Sequence, residues 1–266
     1  DKETSKVHKE FPCPYCGASL SKRTMDRAWV TKYDTALGQM IRQAKQVPVL
    51  INYTCGRKRY EKTPDIVDLA LGDKIEELDI PYWFPADRMP EGYNTEQPKV
   101  SHGITHVHHF YTKRNLWVLG AVYSRLSMPL TLLMFTSQLV NISRLNRYRP
   151  DVSFPYNPLS GTLYVGSQIS EANVITAYEN RIYRLSRAFV GNERRSMLNT
   201  GSADGSRMGI STVDYIFTDP PFGGNLMYSE LNFLWEAWLN VFTNNEPEAI
   251  ENKTQGKGLL EYQRLM

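Results

Sequence analysis

Residues 213–224 read Val-Asp-Tyr-Ile-Phe-Thr-Asp-Pro-Pro-Phe-Gly-Gly, and this stretch decides which fold the sequence predicts. The β-branched and aromatic residues of 213–218 predict a short strand. Because proline cannot donate to a sheet ladder, the strand is expected to end at Asp219, and Gly223-Gly224 allows the backbone to turn. The sequence therefore predicts a carboxylate, two prolines and an aromatic ring at the carboxyl end of a strand, where open α/β sheets bind their ligands.

These residue types suit a planar ring that carries an exocyclic amine. The carboxylate of Asp219 can accept one N–H, and the carbonyl of Pro220 can accept another. Phe222 offers a face on which the ring can stack. The alternative is an ordinary strand-to-helix turn that contains two prolines.

Asp219-Pro220-Pro221-Phe222 resembles the Asp-Pro-Pro-Tyr/Phe catalytic motif of the S-adenosylmethionine-dependent amino-methyltransferases. The run through Tyr228-Ser229-Glu230-Leu231 is similar to bacterial adenine-specific DNA methylases that carry a zinc-ribbon-like insertion. The resemblance implies an α/β protein with a partial Rossmann-like methyltransferase sheet, helices on both of its faces and a small zinc-ribbon-like module. It implies transfer of a methyl group from S-adenosylmethionine to N6 of a flipped adenine in DNA.

The same resemblance assigns roles to individual residues. The catalytic residues are expected to be Asp219, Pro220, Pro221 and Phe222, and the residues expected to contact the flipped base are Asn225 and Tyr228. Asp204 and Arg114 match positions that bind the cofactor in the family. Asp204 is alternatively a turn residue and Arg114 alternatively a surface residue near a helix start.

Two other functions stay open at this point. The same chemistry could act on cytosine N4, an RNA base or a protein amide, and Asp at position 219 favours adenine. A protein of another class would be a catalytically silent module that binds nucleic acid.

Composition and charge narrow the class of protein. The chain has 266 residues, 41% of them hydrophobic and 22% charged, which is typical of a soluble globular protein. It has no long apolar run, and residues 1–10 do not resemble a signal peptide, so no membrane partner is expected. The three cysteines fit a protein of the reducing cytoplasm better than a scaffold held by disulfides. The net charge is +3, but residues 1–62 alone carry +7, which is typical either of contact with DNA phosphates or of a solvated surface.

A cysteine pair in this basic segment indicates a metal site. Cys13-Pro14-Tyr15-Cys16-Gly17 has the spacing of a zinc knuckle. A predicted strand over 47–54 leads to Cys55, but a standard ribbon would have a second cysteine where this chain has Asn52. The expected zinc ligands are Cys13, Cys16 and Cys55, with His8 as a candidate fourth ligand; the alternative is a ribbon that has lost its metal.

Three regions follow from composition: a zinc-ribbon-like basic module over 1–62, an acidic proline-rich connector over 63–100 and an incomplete methyltransferase domain over 101–266. The segment 29–44 is expected to be amphipathic or irregular. Helices are predicted from Thr112 to about 126, over 130–145, over 171–190 with Ser170 as its cap, and after residue 227. A short strand is predicted over 161–166.

Four histidines lie between residues 102 and 109, and such a cluster could bind a metal ion. Their spacing fits no standard ligand set, and no carboxylate or cysteine is adjacent in the sequence. A polar loop or an edge strand is the preferred interpretation of His102, His106, His108 and His109.

The sequence contains no glycine-rich cofactor loop of the kind these methyltransferases use. In the family this loop lies upstream of the zinc-ribbon insertion, so the chain is expected to be a fragment that binds S-adenosylmethionine poorly and is inactive by itself.

Overall fold

The computed structural model describes residues 8–21, 23–149, 156–188, 214–217, 219, 223–224 and 226–266. Within these ranges the protein is mixed α/β, with helices and small two-stranded sheets. No helix in these ranges is both long and apolar enough to cross a bilayer.

The described strands form three antiparallel hairpins near the amino end. Their pairs are β1 (Glu10–Pro12) with β2 (Ser19–Ser21), β3 (Trp29–Asp34) with β4 (Gln39–Ala44), and β5 (Ile51–Cys55) with β6 (Lys58–Lys62). The prediction of an irregular segment over 29–44 was wrong, because residues 29–34 pair with 39–44 in full register. Gly38 has φ +64°, a left-handed conformation that glycine adopts readily, and it closes the turn before β4.

Helices make up most of the remaining described chain. They are α1 (Ile66–Glu77), α2 (Tyr93–His102), α3 (Lys113–Tyr123), α4 (Pro129–Thr136), α5 (Leu139–Ile142), α6 (Val174–Ala188), α7 (Tyr228–Leu231), α8 (Phe233–Leu239) and α9 (Leu259–Leu265), with a 3₁₀ helix at Val107–Phe110. The connector predicted over 63–100 thus contains α1 and α2.

Local signals located some helices correctly. Thr112 caps α3 as predicted, since its side chain accepts a hydrogen bond from the N–H of Asn115. The predicted helix over 130–145 is divided into α4 and α5. The helix expected from residue 171 begins at Val174, and the side chain of Asn173, rather than Ser170, accepts from the N–H of Thr176.

An aromatic cluster around Trp238 forms the centre of the core. Trp238 is fully buried and makes edge or tilted ring contacts with Trp83, Tyr111, Tyr123 and Phe135 at centroid distances between 5.1 and 6.2 Å. These rings come from the connector, the segment before α3, α3 itself, α4 and α8. Because aromatic rings bury large apolar areas, this cluster holds segments that are far apart in the sequence together.

Two predicted strands are not strands in the structure. Residues 214–217 are exposed and form no ladder, and residues 161–166 form a turn and an extended segment. β-Branched residues stabilise a strand only when a partner strand completes the ladder, and the described residues provide none at either place. The Rossmann-like sheet is not among the described strands.

Candidate functional site

Asp219 is exposed. Pro220, Pro221, Phe222, Asn225 and Asp204 lie outside the described residues. Gly223 and Gly224 form a turn as predicted, and Gly223 has φ +50°. The carbonyl of Gly223 accepts a hydrogen bond from the N–H of Glu251 at 3.2 Å.

The helices beyond this turn are anchored by both apolar and polar contacts. Leu234 and Trp238 are fully buried, as the predicted core stripe requires. Ser229 donates from its N–H and its hydroxyl to the two carboxylate oxygens of Glu248, at 3.0 and 2.6 Å. Tyr228, a predicted base contact, is the first residue of α7, and its side chain is 44% exposed.

Glu230 forms a buried polar network that ties α7 to α2. Its side chain is 2% exposed, and one carboxylate oxygen accepts from both the N–H and the side-chain amide of Asn94, at 2.9 and 3.1 Å. The other oxygen accepts from the amide of Asn252 at 3.0 Å. Because an unpaired buried carboxylate is costly, these three hydrogen bonds fix the start of α7.

Arg114, a predicted cofactor residue, is paired within the chain. Its Nε and Nη2 donate to the two carboxylate oxygens of Glu171 at 2.6 and 2.5 Å. The hydrogen bonds to Glu171 raise the pKa of Arg114. Glu171 therefore supplies a carboxylate partner for Arg114 within the chain.

The three cysteines do not converge on one point. Cys13 and Cys16 lie in the turn between β1 and β2, where Gly17 has φ +71° as the knuckle interpretation requires. Hydrogen bonds from the backbone of Tyr15 and from Cys16 lower the pKa of the Cys13 thiol. Cys55 ends β5 in another hairpin, and the amide of Asn52 donates to Glu61 on β6 at 2.8 Å. The described thiols thus do not fit a three-thiolate zinc site.

A different polar centre joins the second hairpin to the histidine-rich segment. Nε2 of His108 and Nε2 of His109 lie 2.9 and 2.8 Å from the same oxygen of Asp34, Oδ2. Asp34, His108 and His109 are 8%, 7% and 4% exposed. Among the described residues this is the one group of three or more His, Cys, Asp or Glu side chains whose ligand atoms lie within 4.8 Å of one another.

The backbone of the hairpin turn fixes the carboxylate of Asp34. Its other oxygen, Oδ1, accepts from the N–H groups of Ala36 and Leu37 at 3.0 and 3.2 Å. Oδ2 is therefore free to point toward the histidines. Asp34 ends β3, and the 3₁₀ helix presents His108 and His109 side by side.

Close contact between backbones holds the hairpin against α2. A Cβ on Gly103 would lie 2.1 Å from the carbonyl oxygen of Arg42, and Gly103 has φ +68°. Nearby, Nη1 of Arg27 lies 2.7 Å from Nε2 of His102. Only glycine fits position 103, so the hairpin can approach close enough to bring Asp34 to the histidines.

The electrostatics of this centre are set by burial and by the hydrogen bonds between Asp34 and the two histidines. Burial opposes ionisation of Asp34, but hydrogen bonds from His108 and His109 outweigh it and hold the pKa of Asp34 below its usual range. Burial, with the nearby His108, lowers the pKa of His109 to about 3. Among the described residues no lysine or arginine forms an ion pair with Asp34.

The hydrogen-bond network indicates the tautomer of His109. Its Nδ1 lies 3.3 Å from the N–H of Thr105, which can only donate, so neutral His109 carries its proton on Nε2 and donates it to Asp34. Nδ1 of His108 is buried and has no hydrogen-bond partner among the described residues.

The interpretation of the histidines as a polar loop or edge strand was wrong. His108 and His109 are buried in a 3₁₀ helix, and the carboxylate that the sequence seemed to lack is 74 residues away. Residues 29–34 gave no signal that could have located it, because their polar and apolar residues do not alternate regularly.

Comparison with known proteins adds no relative. No protein-family model matches the chain, and neither a curated protein nor a solved structure matches it.

Proposed function

We propose that this chain carries the amine-binding site of a DNA methyltransferase that acts on adenine N6. The observation that carries the proposal is the sequence Asp219-Pro220-Pro221-Phe222 followed by a glycine turn and a core-anchored helical segment. The proposal includes the partial Rossmann-like methyltransferase sheet that the motif implies.

Three features support this function. Asp219 is exposed, so its carboxylate is accessible to an amine. The hydrogen bonds of Ser229 and Glu230 anchor α7, which begins four residues after the Gly223-Gly224 turn. The charge of +7 over residues 1–62 favours contact with a phosphate backbone.

In the proposed mechanism, this chain holds the amine in a reactive orientation. The carboxylate of Asp219 and the carbonyl of Pro220 accept the two N–H groups of adenine N6, which leaves the nitrogen lone pair directed at the methyl group. Phe222 stacks on the extruded ring. Because the acceptors stabilise the charge that develops on nitrogen, no covalent intermediate is required. The methyl donor implied by the motif is S-adenosylmethionine.

The test is a methyl-transfer assay of the gene product that contains this chain, with DNA as substrate and Asp219→Ala as the variant. We expect activity to fall by about 100-fold or more, because one acceptor at the reacting amine is lost. Stability should change by less than about 0.5 kcal/mol, because the side chain is exposed. Asp214→Ala, which removes another exposed carboxylate of the same segment, is the matched control and should stay active. Undiminished activity of the Asp219→Ala variant would overturn the proposal.

The same assay separates the alternatives. Transfer to RNA or to a protein amide would place the chemistry on another substrate. Absence of transfer to any of these substrates, together with retained DNA binding, would favour the silent nucleic-acid-binding module.

A further inference from the structure

We infer that Asp34, His108 and His109 form a binding site for a divalent transition-metal ion, of which Zn²⁺ is the reference case. The site is independent of the proposed methyl transfer. Its ligands come from β3 and from the 3₁₀ helix, two segments that are 74 residues apart in the chain.

The kinds of ligand atom in this group favour a transition-metal ion. Two imidazole nitrogens and one carboxylate oxygen make up a ligand set that zinc and iron(II) sites use in proteins. Both imidazoles present Nε2 to the same point, Oδ2 of Asp34, instead of sharing the two carboxylate oxygens between them. All three ligand atoms therefore face one small volume.

The distances between the ligand atoms are close to those of a tetrahedral zinc site. Bond lengths of about 2.0–2.1 Å to a tetrahedral zinc ion place its ligand atoms about 3.3 Å apart. The observed separations between the nitrogens and Oδ2 are 2.9 and 2.8 Å. An outward shift of a few tenths of an ångström at each side chain would accommodate the ion in the place of the two Nε2 protons.

The buried carboxylate of Asp34 also favours a bound cation. The carboxylate of Asp34 is buried, and among the described residues no lysine or arginine pairs with it. A buried carboxylate is costly unless a cation or hydrogen bonds compensate it. A divalent ion would supply the cation that the described side chains around Asp34 do not.

Binding of the ion requires the imidazole of His109 to change its tautomer. The proton on Nε2 leaves, the Nε2 lone pair binds the ion, and a proton is taken up on Nδ1. Nδ1 then donates to the hydroxyl oxygen of Thr105, which lies 3.4 Å away, after a small movement away from the N–H of Thr105. Such an outer partner orients metal-bound histidines in general.

The location of the site indicates a structural role. The three ligands are more than nine-tenths buried, and they connect the hairpin turn to the segment that leads into α3. An ion held there would cross-link these elements and stabilise the folded chain, because the unfolded chain does not hold the ligands together.

The experiment must separate this site from the three cysteines, because thiolates are also zinc ligands in proteins. A chain with Cys13→Ser, Cys16→Ser and Cys55→Ser is freed of metal with a chelator and titrated with Zn²⁺ and with Co²⁺. We expect one equivalent of Zn²⁺ to bind and to raise the unfolding temperature. The Co²⁺ complex should lack the intense thiolate charge-transfer band.

Asp34→Asn and His109→Gln in this background should lower the zinc affinity by about 100-fold or more. His102→Gln is the matched control, because His102 is a buried histidine of the same segment that contacts Arg27 and Gly166 instead of Asp34. Zinc binding unaffected by both triad variants would overturn the inference, as would the absence of any stoichiometric zinc in the cysteine-free chain.

X-ray absorption at the zinc edge gives an answer that does not depend on the triad variants being folded. In the cysteine-free chain with one equivalent of zinc, the inference predicts nitrogen and oxygen ligands with the multiple scattering of two imidazoles. A spectrum without imidazole scattering would contradict it.

Discussion

At the scale of single residues, Asp34 is the clearest case of a side chain whose role the structure defines. The backbone of its own turn binds one carboxylate oxygen, and two histidines converge on the other. The carboxylate stays ionised because the four hydrogen bonds that it receives outweigh the cost of its burial.

The low pKa of His109 predicts how the stability of the metal-free protein depends on pH. Its pKa is about 3 in the folded chain, against about 6.5 in the unfolded chain. Between pH 6.5 and 3 the unfolded chain therefore binds a proton here that the folded chain does not. The stabilisation is fully present above pH 6.5 and is lost as pH falls, with a slope of up to about 1.4 kcal/mol per pH unit.

Denaturant unfolding between pH 5 and 7.5 in the presence of a chelator measures this slope. His109→Gln should reduce it, and the difference between the two proteins isolates the contribution of this histidine. Equal slopes would show that His109 does not remain neutral in the folded protein.

Sequence reasoning worked at this scale where the signal was local. The positive φ of Gly17 and the cap at Thr112 follow from the residue and its immediate neighbours. The partners of Asp34 do not, because a contact across 74 residues is set by the packing of a hairpin on α2 and leaves no local pattern.

At the scale of elements, the Glu230 network decides how α7 is held against α2. A Cβ on Gly92 would lie 2.1 Å from Oε1 of Glu230, whose carboxylate is fixed by three hydrogen bonds. Gly92 has φ 176°, which any residue adopts, so the requirement for glycine here is one of space alone.

This contact predicts coupling between the two positions. Gly92→Ala should destabilise the protein by about 2 kcal/mol through overpacking, and Glu230→Ala by about 2 kcal/mol through unpaired buried amides. In the double variant the clash is gone, so the cost should be at least about 1 kcal/mol below the sum.

Denaturant unfolding of the unmodified protein, the two single variants and the double variant provides the double-mutant cycle. Gly72→Ala in α1 is the control, since an added Cβ meets no atom within 4 Å there, and it should be neutral or slightly stabilising. Strictly additive costs for Gly92 and Glu230 would contradict the contact.

Prediction of elements was better for helices than for strands, although the strand predicted over 47–54 overlaps β5 at residues 51–54. The stripe of Leu234 and Trp238 indicated a buried helix because helical periodicity is local. The strand predicted over 213–218 was wrong at the described residues 214–217, because a strand depends on a distant partner that composition does not reveal. The hairpin at 29–44 was missed although its two strands are neighbours in the sequence, because its polar and apolar residues do not alternate regularly.

At the scale of the whole molecule, the hairpin of β3 and β4 packs against a helical body with an aromatic centre. Contacts of Asp34 with His108 and of Arg27 with His102 connect the two parts. This hairpin lies within the basic segment 1–62, whose net charge is +7. That arrangement suits a protein that binds a phosphate backbone with one part and reads a base with another.

We propose that Asp219-Pro220-Pro221-Phe222 receives the N6 amine of adenine in DNA. The most direct measurement is nucleoside mass spectrometry of DNA incubated with S-adenosylmethionine and the gene product that contains this chain. We expect N6-methyladenine with the unmodified protein and its loss with Asp219→Ala. N4-methylcytosine in its place, or N6-methyladenine that persists with Asp219→Ala, would contradict this proposal.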